Sequence, residues 1–313
     1  MKRITMAVLL GLCGPACGTG SSSKALEQDT GEPVPGSGDS GDSGDPGDSG
    51  DSGDSGDPGD PEEVEAVLGA SCPAHRRLGV VELIPNVDGV YVSASALDRL
   101  DLRLEEPVEI NETCAFHKHE RNDCTTCPEG EVCTSTGCQP RAVRRDDIEL
   151  VVNVDGSPQT FLPISQGVAY GYLDGEADTY DISFSIGHDT VSITGLPHPA
   201  AMPEVTVTIS SDELAPGPLE ATWTPSDSTD RVHTRIPMNH HVIEETFTEC
   251  SAPASSGQFY ATAAMIDPLS VVTGLEFQEV AAGQVAAAEF SDGSCVELRA
   301  ERRARPDFER RPD

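Results

Sequence analysis

Cysteines and histidines are concentrated in one short stretch of the chain, and their spacing permits two kinds of chemistry. Cys114 is followed by His117 and His119, and these by four more cysteines: Cys124, Cys127, Cys133 and Cys138. One interpretation is a zinc site, in which Cys124-x-x-Cys127 and a histidine or later cysteine pair supply four nitrogen or sulfur ligands. The other is a small group of disulfides, which form where thiols are oxidised.

The first residues of the chain favour the disulfide interpretation. Met1-Lys2-Arg3 gives a positive start, residues 4–12 form an apolar run, and residues 14–17 are mostly small. This pattern is typical of a secretory signal, which delivers the protein to an oxidising compartment. The run is shorter than the roughly 20 residues that span a bilayer, so the sequence predicts no transmembrane helix.

Cys17 is the predicted lipidation site, because small residues precede it as they do the modified cysteine of bacterial lipoproteins. Removal of Cys13 with the signal and lipidation of Cys17 leave an even number of cysteines. We therefore expect a lipid on Cys17 to attach the protein to a membrane. Gly18 after this cysteine favours the outer membrane or the cell surface. Cleavage after Ala16, giving a secreted or periplasmic form, is the alternative.

The eight remaining cysteines are all disulfide candidates: Cys72, Cys114, Cys124, Cys127, Cys133, Cys138, Cys250 and Cys295. Five of them lie within 25 residues, so Cys72 is expected to be the sixth member of that group. Cys250 and Cys295 are then left to bridge strands of a C-terminal sheet. The connectivity among the six stays open, since spacing alone does not fix it.

The other residues that can do chemistry form no recognised active site. His233, His240 and His241 are interpreted as surface polar residues. The sequence that follows His241 lacks the Glu and the second His of a metalloprotease helix. The acidic residues 174–178 lack the ligand spacing of a calcium loop. No catalytic, cofactor-binding or metal-binding residue is assigned.

Residues 18–66 are predicted to be a disordered acidic linker. Glycine occupies every third position from Gly38 in eight triplets, with Asp second and Ser or Pro third. A collagen-like triple helix would stack these aspartates without a cation, and Gly41-Asp42-Ser43-Gly44, which resembles a serine-protease loop, is one repeat unit among several. Such a segment buries too little apolar surface to fold, and its charge extends it.

Charge excludes several partners. The formal net charge is −34, of which −24 falls on residues 64–313. This field repels phosphate backbones and anionic headgroups, so nucleic-acid binding and attachment through a basic surface are not expected. Cations and basic partners are attracted instead.

Short alternating segments separated by Pro and Gly predict an all-β fold, an antiparallel β-sandwich-like domain with a small disulfide-rich knuckle. Two hairpins with Asn-Val-Asp-Gly turns are predicted at residues 80–94 and after residue 148; they are interpreted as two similar turns rather than a duplication. Trp223 is expected to anchor the core. Further strands are predicted between residues 180 and 298, with a helical turn at residues 261–269.

The predicted organisation has six parts. They are residues 1–17 (signal), 18–66 (linker), 67–112 (β segment), 113–140 (cysteine-rich knuckle), 141–301 (β-sandwich-like domain) and 302–313 (frayed tail).

The chain resembles a group of predicted myxobacterial lipoproteins. The resemblance rests on Cys114-Ala115-Phe116-His117, the cysteines from Cys124 to Cys138, Thr222-Trp223-Thr224-Pro225, and Cys250 followed by Ser256-Gly257-Gln258-Phe259. It covers residues 72–300, but the small Ala-Gly step usual after the last knuckle cysteine is missing. The group implies no activity.

The sequence therefore predicts a non-catalytic lipoprotein of the cell envelope that binds, spaces or scaffolds an envelope protein or a glycan. Two alternatives are a secreted hydrolase or metal-dependent enzyme and a calcium-dependent adhesion module. A cavity that gathers several of His117, His119, His233, His240 and His241 with acidic residues would favour the enzyme.

Overall fold

The computed structural model describes residues 61–311, with gaps at residues 88, 120–123, 125, 211–216, 238–245 and 273–278. Cys17, the signal and the Gly-Asp-Ser repeats lie outside the described residues. Strands dominate the part that is described, which confirms the all-β class. None of the described helices has the length and apolar character needed to cross a membrane.

The strands follow one another at short intervals along the chain. In chain order they are β1 (Glu63–Glu65), β2 (Val67–Leu68), β3 (Arg77–Asn86), β4 (Gly89–Ala96), β5 (Glu109–Ile110), β6 (Cys114–His117), β7 (Glu131–Thr134), β8 (Gly137–Pro140), β9 (Ile148–Val154), β10 (Ser157–Phe161), β11 (Pro163–Ser165), β12 (Val168–Leu173), β13 (Thr179–Ile186), β14 (Asp189–Pro197), β15 (Val205–Ser210), β16 (Leu219–Trp223), β17 (Arg231–Pro237), β18 (Phe247–Pro253), β19 (Gln258–Ala261), β20 (Val280–Glu289), β21 (Cys295–Ala304) and β22 (Asp307–Arg311). The helical segments are α1 (Ala263–Ile266) and the 3-10 helices Ala74–Arg76, Ala254–Ser256 and Asp267–Val272.

One large sheet holds the fold together. Its strand order is β11-β12-β4-β3-β21-β20-β17-β18-β6-β5, and β2 pairs with β20. A five-stranded sheet (β1-β14-β13-β9-β10) and a four-stranded sheet (β19-β16-β15-β22) supply the other layers. Each smaller sheet shares a separate hydrophobic core with the large one, so the sandwich is double.

Local patterns account for the hairpins. In β3 and β4, Val81, Leu83, Val90 and Val92 are fully buried at alternate positions, as a strand with one covered face requires. The β9–β10 turn has φ of 51° at Asp155 and 83° at Gly156, the positive values that a type I′ turn needs at both central residues. Both predicted hairpins are confirmed, one in the large sheet and one in the five-stranded sheet.

Trp223 is a core residue, as predicted. It is 6% exposed, its ring lies 5.7 Å from that of Phe259, and its Nε1 donates a hydrogen bond of 2.8 Å to the Ala254 carbonyl. A Cβ on Gly257 would lie 2.7 Å from Pro225, so only glycine fits there. The two C-terminal motifs of the sequence therefore pack against each other.

One face of strand β20 contributes side chains to both hydrophobic cores. Val280 and Ala282 belong to the second core, whereas Ala286 and Ala288 belong to the first. Gln284 lies between them on the same face and donates to the buried carboxylate of Asp230 at 2.5 Å. A hydrogen bond between two buried polar side chains, Gln284 and Asp230, therefore separates the two cores.

The structure corrects several predicted features. Three strand pairs are parallel rather than antiparallel: β1–β14, β3–β21 and β15–β22. The single strand predicted at residues 286–298 is two strands, β20 and β21, joined by a turn at Gly293. The predicted frayed tail instead continues β21 and forms β22, because β15 offers it free backbone hydrogen-bonding groups.

The predicted domain boundaries also differ from the sheets. β1 lies inside the predicted linker but pairs with β14, and β6 lies inside the predicted knuckle but pairs with β18 in the large sheet. Within the described part of the predicted knuckle, only β7 and β8 form a separate small ribbon. The helical turn predicted at residues 261–269 is present as α1 and the 3-10 helix after it.

All eight candidate cysteines are paired. The disulfides are Cys72–Cys295, Cys114–Cys250, Cys124–Cys133 and Cys127–Cys138. The expectation that Cys72 joins the knuckle and that Cys250 bridges Cys295 is wrong, because Cys114 and Cys250 lie directly opposite each other on β6 and β18. The sulfurs of Cys124, Cys127 and Cys138 lie within 4.8 Å of one another, but as disulfides they are not thiolate ligands for zinc.

Substitution of Gly283 tests the packing of β20, the strand that contributes to both cores. A Cβ at this position would lie 2.0 Å from the backbone oxygen of Ala300, whereas a Cβ at Gly171 would meet only the ring of Phe161, at 2.6 Å. Backbone in a central strand cannot move as a partly buried ring can. Gly283→Ala should therefore lower the free energy of unfolding by about 2–4 kcal/mol, and Gly171→Ala by about 1 kcal/mol, in urea titrations. Equal losses would contradict this packing.

Candidate binding site

A cavity of about 480 Å³ lies over the outer face of the large sheet. Its floor consists of side chains that alternate with the core residues, including Glu297 and Arg299 of β21, His233 of β17 and Glu249 of β18. Two segments close it from above, residues 71–77 and residues 106–115. Its volume falls in the range of small-molecule sites.

Both segments above the sheet are covalently fixed. Cys72, in the first segment, is bonded to Cys295 at the start of β21, and Cys114, at the end of the second, is bonded to Cys250 of β18. The backbone amide of Cys72 also donates to Glu297 Oε2 at 2.9 Å. The first segment is therefore held to the sheet covalently and the second is anchored at its end in β6, so the cavity is largely preformed.

A network of ion pairs covers the floor. Arg77 Nη2 lies 3.3 Å from Glu249 Oε1 and 3.2 Å from Glu297 Oε2. Arg299 pairs closely with Glu297 and lies 3.8 Å from Glu249. Each carboxylate is thus held between two guanidinium groups, which offsets the cost of burying a side chain such as Glu297, only 3% exposed.

The network also sets the proton affinities. Burial alone would raise the pKa of Glu249, but Arg77, Arg299 and Arg235 together lower it. Burial likewise opposes the charge of Arg299, yet Glu297, Glu301 and Glu249 raise its pKa. These groups keep their charges near neutral pH, so their role is to hold charge in place rather than to transfer protons.

Glu301 extends the network along β21. Its side chain is 1% exposed, Arg303 Nε donates to it at 2.6 Å, and His233 Nε2 lies 2.8 Å away, within ion-pair distance but without hydrogen-bond geometry. Burial would raise its pKa, but His233, Arg299 and Arg303 lower it to about 2.

The histidines at the cavity are buried or half-buried, and some of their ring nitrogens lack a hydrogen-bond partner. His117 is 3% exposed and stacks on Phe247, and its Nδ1 lies 3.0 Å from the Glu105 carbonyl. A carbonyl only accepts, so the ring proton is on Nδ1 and Nε2 is an acceptor. Burial lowers the pKa of both His117 and His75, so both rings are neutral near pH 7. Nδ1 of His75 and Nδ1 of His233 are buried without a partner.

The cavity gathers some of the histidines considered in the sequence. His117 and His233 both line it, whereas His119 contacts the Arg103 carbonyl elsewhere, and His240 and His241 lie outside the described residues. The prediction that His233 is a surface residue is wrong, because its side chain is 12% exposed and lies against Glu301.

Sequence reasoning missed most of the polar residues of the cavity. His75 and Arg77 stand beside Cys72 with no motif of their own, and Arg77 meets Glu297 across 220 residues of chain. One signal was present: alternate positions 297, 299, 301 and 303 read Glu, Arg, Glu, Arg. Such alternation within an apolar strand indicates a charged outer face.

Arg231 differs from the other arginines of the cavity. Its Nε donates to the Ser251 hydroxyl at 2.9 Å, and its Nη2 to the Ser251 carbonyl at 3.4 Å. Within the part of the chain that the structure describes, no carboxylate lies within ion-pair distance of Arg231. The cavity therefore offers one guanidinium whose charge is not neutralised by a neighbour.

The acidic loop at residues 174–178 does not form a comparable site. Among the described residues, the only group of three or more cysteine, histidine or acidic ligands close enough to share an ion consists of knuckle cysteines. The loop's carboxylates are therefore not gathered as calcium ligands.

The low pKa of Glu301 predicts acid sensitivity. Because its pKa is about 2 when folded and about 4.5 otherwise, it stabilises the fold above pH 5 by on the order of 3 kcal/mol. This contribution is lost as the pH falls from 5 towards 2. Urea unfolding at several pH values should show a steeper loss for the wild type than for Glu301→Gln, which is less stable at pH 7. Parallel pH profiles would contradict the charge network.

Comparisons with known proteins give no family. No protein-family model matches the sequence, and no curated protein matches it. A 1.5-MDa bacterial ice-binding adhesin is 11% identical with a TM-score of 0.17, and the match covers 80% of this chain and 66% of that chain. An Antarctic bacterium's calcium-stabilised ice-binding adhesin is 12% identical, with a TM-score of 0.18 and coverage of 75% and 50%. A proposed carbohydrate-binding protein from Bacteroides uniformis is 11% identical, with a TM-score of 0.20 and coverage of 79% and 97%. TM-scores this low carry no argument about function.

Proposed function

We propose that the protein is an exported, lipid-anchored binding module that holds a small ligand in the cavity over the large sheet. Export is supported by the signal pattern at residues 1–17 and by four disulfides, which require an oxidising compartment. In this proposal the acidic segment at residues 18–60, which lies outside the described residues, links the lipid to the module.

The observation that carries the proposal is the uncompensated Arg231 in a preformed cavity. A guanidinium fork matches a carboxylate, and it is a stronger partner where water is partly excluded. The neutral rings of His75 and His117 add acceptors for hydroxyl groups. Ile110, Val285 and Pro107 give the walls an apolar part. A hydroxylated carboxylate such as a sugar acid fits the guanidinium, the histidine acceptors and the apolar wall together.

Binding is favoured over catalysis by the same contacts. General acid–base chemistry needs a carboxyl or imidazole whose proton affinity is poised near the working pH. Glu249 and Glu297 are each paired with both Arg77 and Arg299, and for Glu249 the arginines outweigh burial and lower the pKa. The cavity therefore supports retention of a ligand better than hydrolysis of one.

Sugar acids provide the direct test. Isothermal titration with D-galacturonate and D-glucuronate should show binding, and D-galactose and D-glucose, which lack the carboxylate, should bind at least about ten-fold more weakly. Arg231→Gln should remove this preference because it keeps hydrogen bonding but loses the charge.

Two tryptophan variants locate the binding. Ala115 lines the cavity, so Ala115→Trp should fill it and abolish binding. Ala264 is exposed on α1, so Ala264→Trp is a matched control that should bind normally. Equal affinity of uronates and neutral sugars, or normal binding by Ala115→Trp, would argue against the cavity as the ligand site.

The anchor is tested separately. If Cys17 carries the lipid, the wild type should sediment with membranes of the producing bacterium and Cys17→Ser should move to the soluble exported fraction. Cys13→Ser is the matched control, since Cys13 is expected to leave with the signal. Membrane retention of Cys17→Ser would rule out the lipid anchor.

A further inference from the structure

Three tyrosines form a cluster on the outer face of the large sheet, two strands away from β21. Tyr91 lies on β4, and Tyr170 and Tyr172 lie on β12. Their neighbours Val90, Val92, Ala169 and Leu173 are buried in the first core, so the tyrosines point away from it. The chain has only five tyrosines, and three of them share this surface.

The cluster is an open corner of aromatic rings. Tyr91 and Tyr172 are directly paired across the strands, and their ring centroids lie 5.6 Å apart with an angle of 67° between the planes. Tyr170 stands two residues from Tyr172, on the same face and about 6–7 Å along the strand. Tyr170 is 40% exposed and Tyr172 is 55% exposed, so solvent reaches their rings.

Negative charge borders the cluster. Tyr170 pairs with Ser93, whose hydroxyl contacts Glu82 Oε2 at 3.4 Å. Glu82 pairs with Arg303, which also pairs with Glu301, so this arginine is divided between two carboxylates. Burial, Tyr170, Glu82 and Tyr172 all raise the pKa of Tyr91, so its hydroxyl stays neutral.

We propose that Tyr91, Tyr170 and Tyr172 form a binding site for a small quaternary ammonium ion in solution. Two ring faces at a wide angle can contact a methylated cation together, and each ring within about 6 Å of the charge contributes to binding. Glu82 beside Ser93 and the net charge of −34 attract cations to this surface. The site is distinct from the cavity and does not depend on its ligand.

Charge distinguishes this proposal from binding of neutral ligands. Sugar rings and apolar side chains also stack on tyrosine, but they gain nothing from the surrounding negative field. A quaternary ammonium ion has no hydrogen-bond donor, so it depends on the π-systems rather than on the tyrosine hydroxyls. Tyr172→Phe should therefore retain binding, and Tyr172→Leu should lose it.

The test uses choline chloride with the full-length protein, followed by NMR or calorimetry. We expect saturable binding to the wild type and to Tyr172→Phe, and affinity about three- to ten-fold lower for each ring replaced in Tyr172→Leu and Tyr91→Leu. Tyr260 is 46% exposed on β19, so Tyr260→Leu is a matched control that should bind as the wild type does. Thermal unfolding of each variant verifies folding.

Two further arms can overturn the proposal. 3,3-Dimethyl-1-butanol has the shape of choline without its charge, and binding as tight as that of choline would show apolar stacking instead of cation recognition. Phosphatidylcholine vesicles present the same headgroup beside a phosphate, which the acidic surface repels. Sedimentation with these vesicles without binding of free choline would overturn the assignment to a soluble cation, as would unchanged choline binding by a folded Tyr91→Leu, Tyr172→Leu double variant.

Discussion

Strand β20 must fill two hydrophobic cores with one face, and much of the architecture follows from this constraint. Val280 and Ala282 enter the second core, Ala286 and Ala288 the first, and the small side chains allow both covering sheets to approach the same strand. The large sheet therefore remains continuous between the two sandwiches. The two smaller sheets cover the inner face of this sheet. Its charged side chains therefore lie on the outer face.

The outer face contains charges that would be costly to bury alone. On β21, Glu297, Arg299, Glu301 and Arg303 alternate with core residues, and each contacts an opposite charge. Arg77 completes the pairing from β3. Replacement of such a pair by well-packed apolar residues can be neutral, but removal of one partner leaves a buried charge and is strongly destabilising, so the pairs fix the geometry. The cavity above them is held open by Cys72–Cys295 and Cys114–Cys250, so disulfides and charges together determine its shape.

The sequence predicted what depends on local chemistry. Asp155-Gly156 specifies its hairpin turn, and the alternation of Val81 and Leu83 identifies a strand with one buried face. The pattern at residues 1–17 favoured disulfides over zinc, and four disulfides are present among the described residues. The pairing of Cys72 with Cys295 could not be predicted, because it depends on β21 lying parallel to β3, a contact between the two ends of the folded unit. The cavity was missed for the same reason, since Arg77, Arg231 and Glu297 meet only through long-range strand order.

We propose that Arg231 binds the carboxylate of a ligand in the cavity over the large sheet. A crystal structure of the protein grown with D-galacturonate tests it most directly. We expect a sugar acid above Glu249 and Glu297, with its carboxylate about 3 Å from the Arg231 guanidinium and both disulfides intact. An ordered ligand bound elsewhere, or an empty cavity at a concentration that saturates binding in solution, would contradict it.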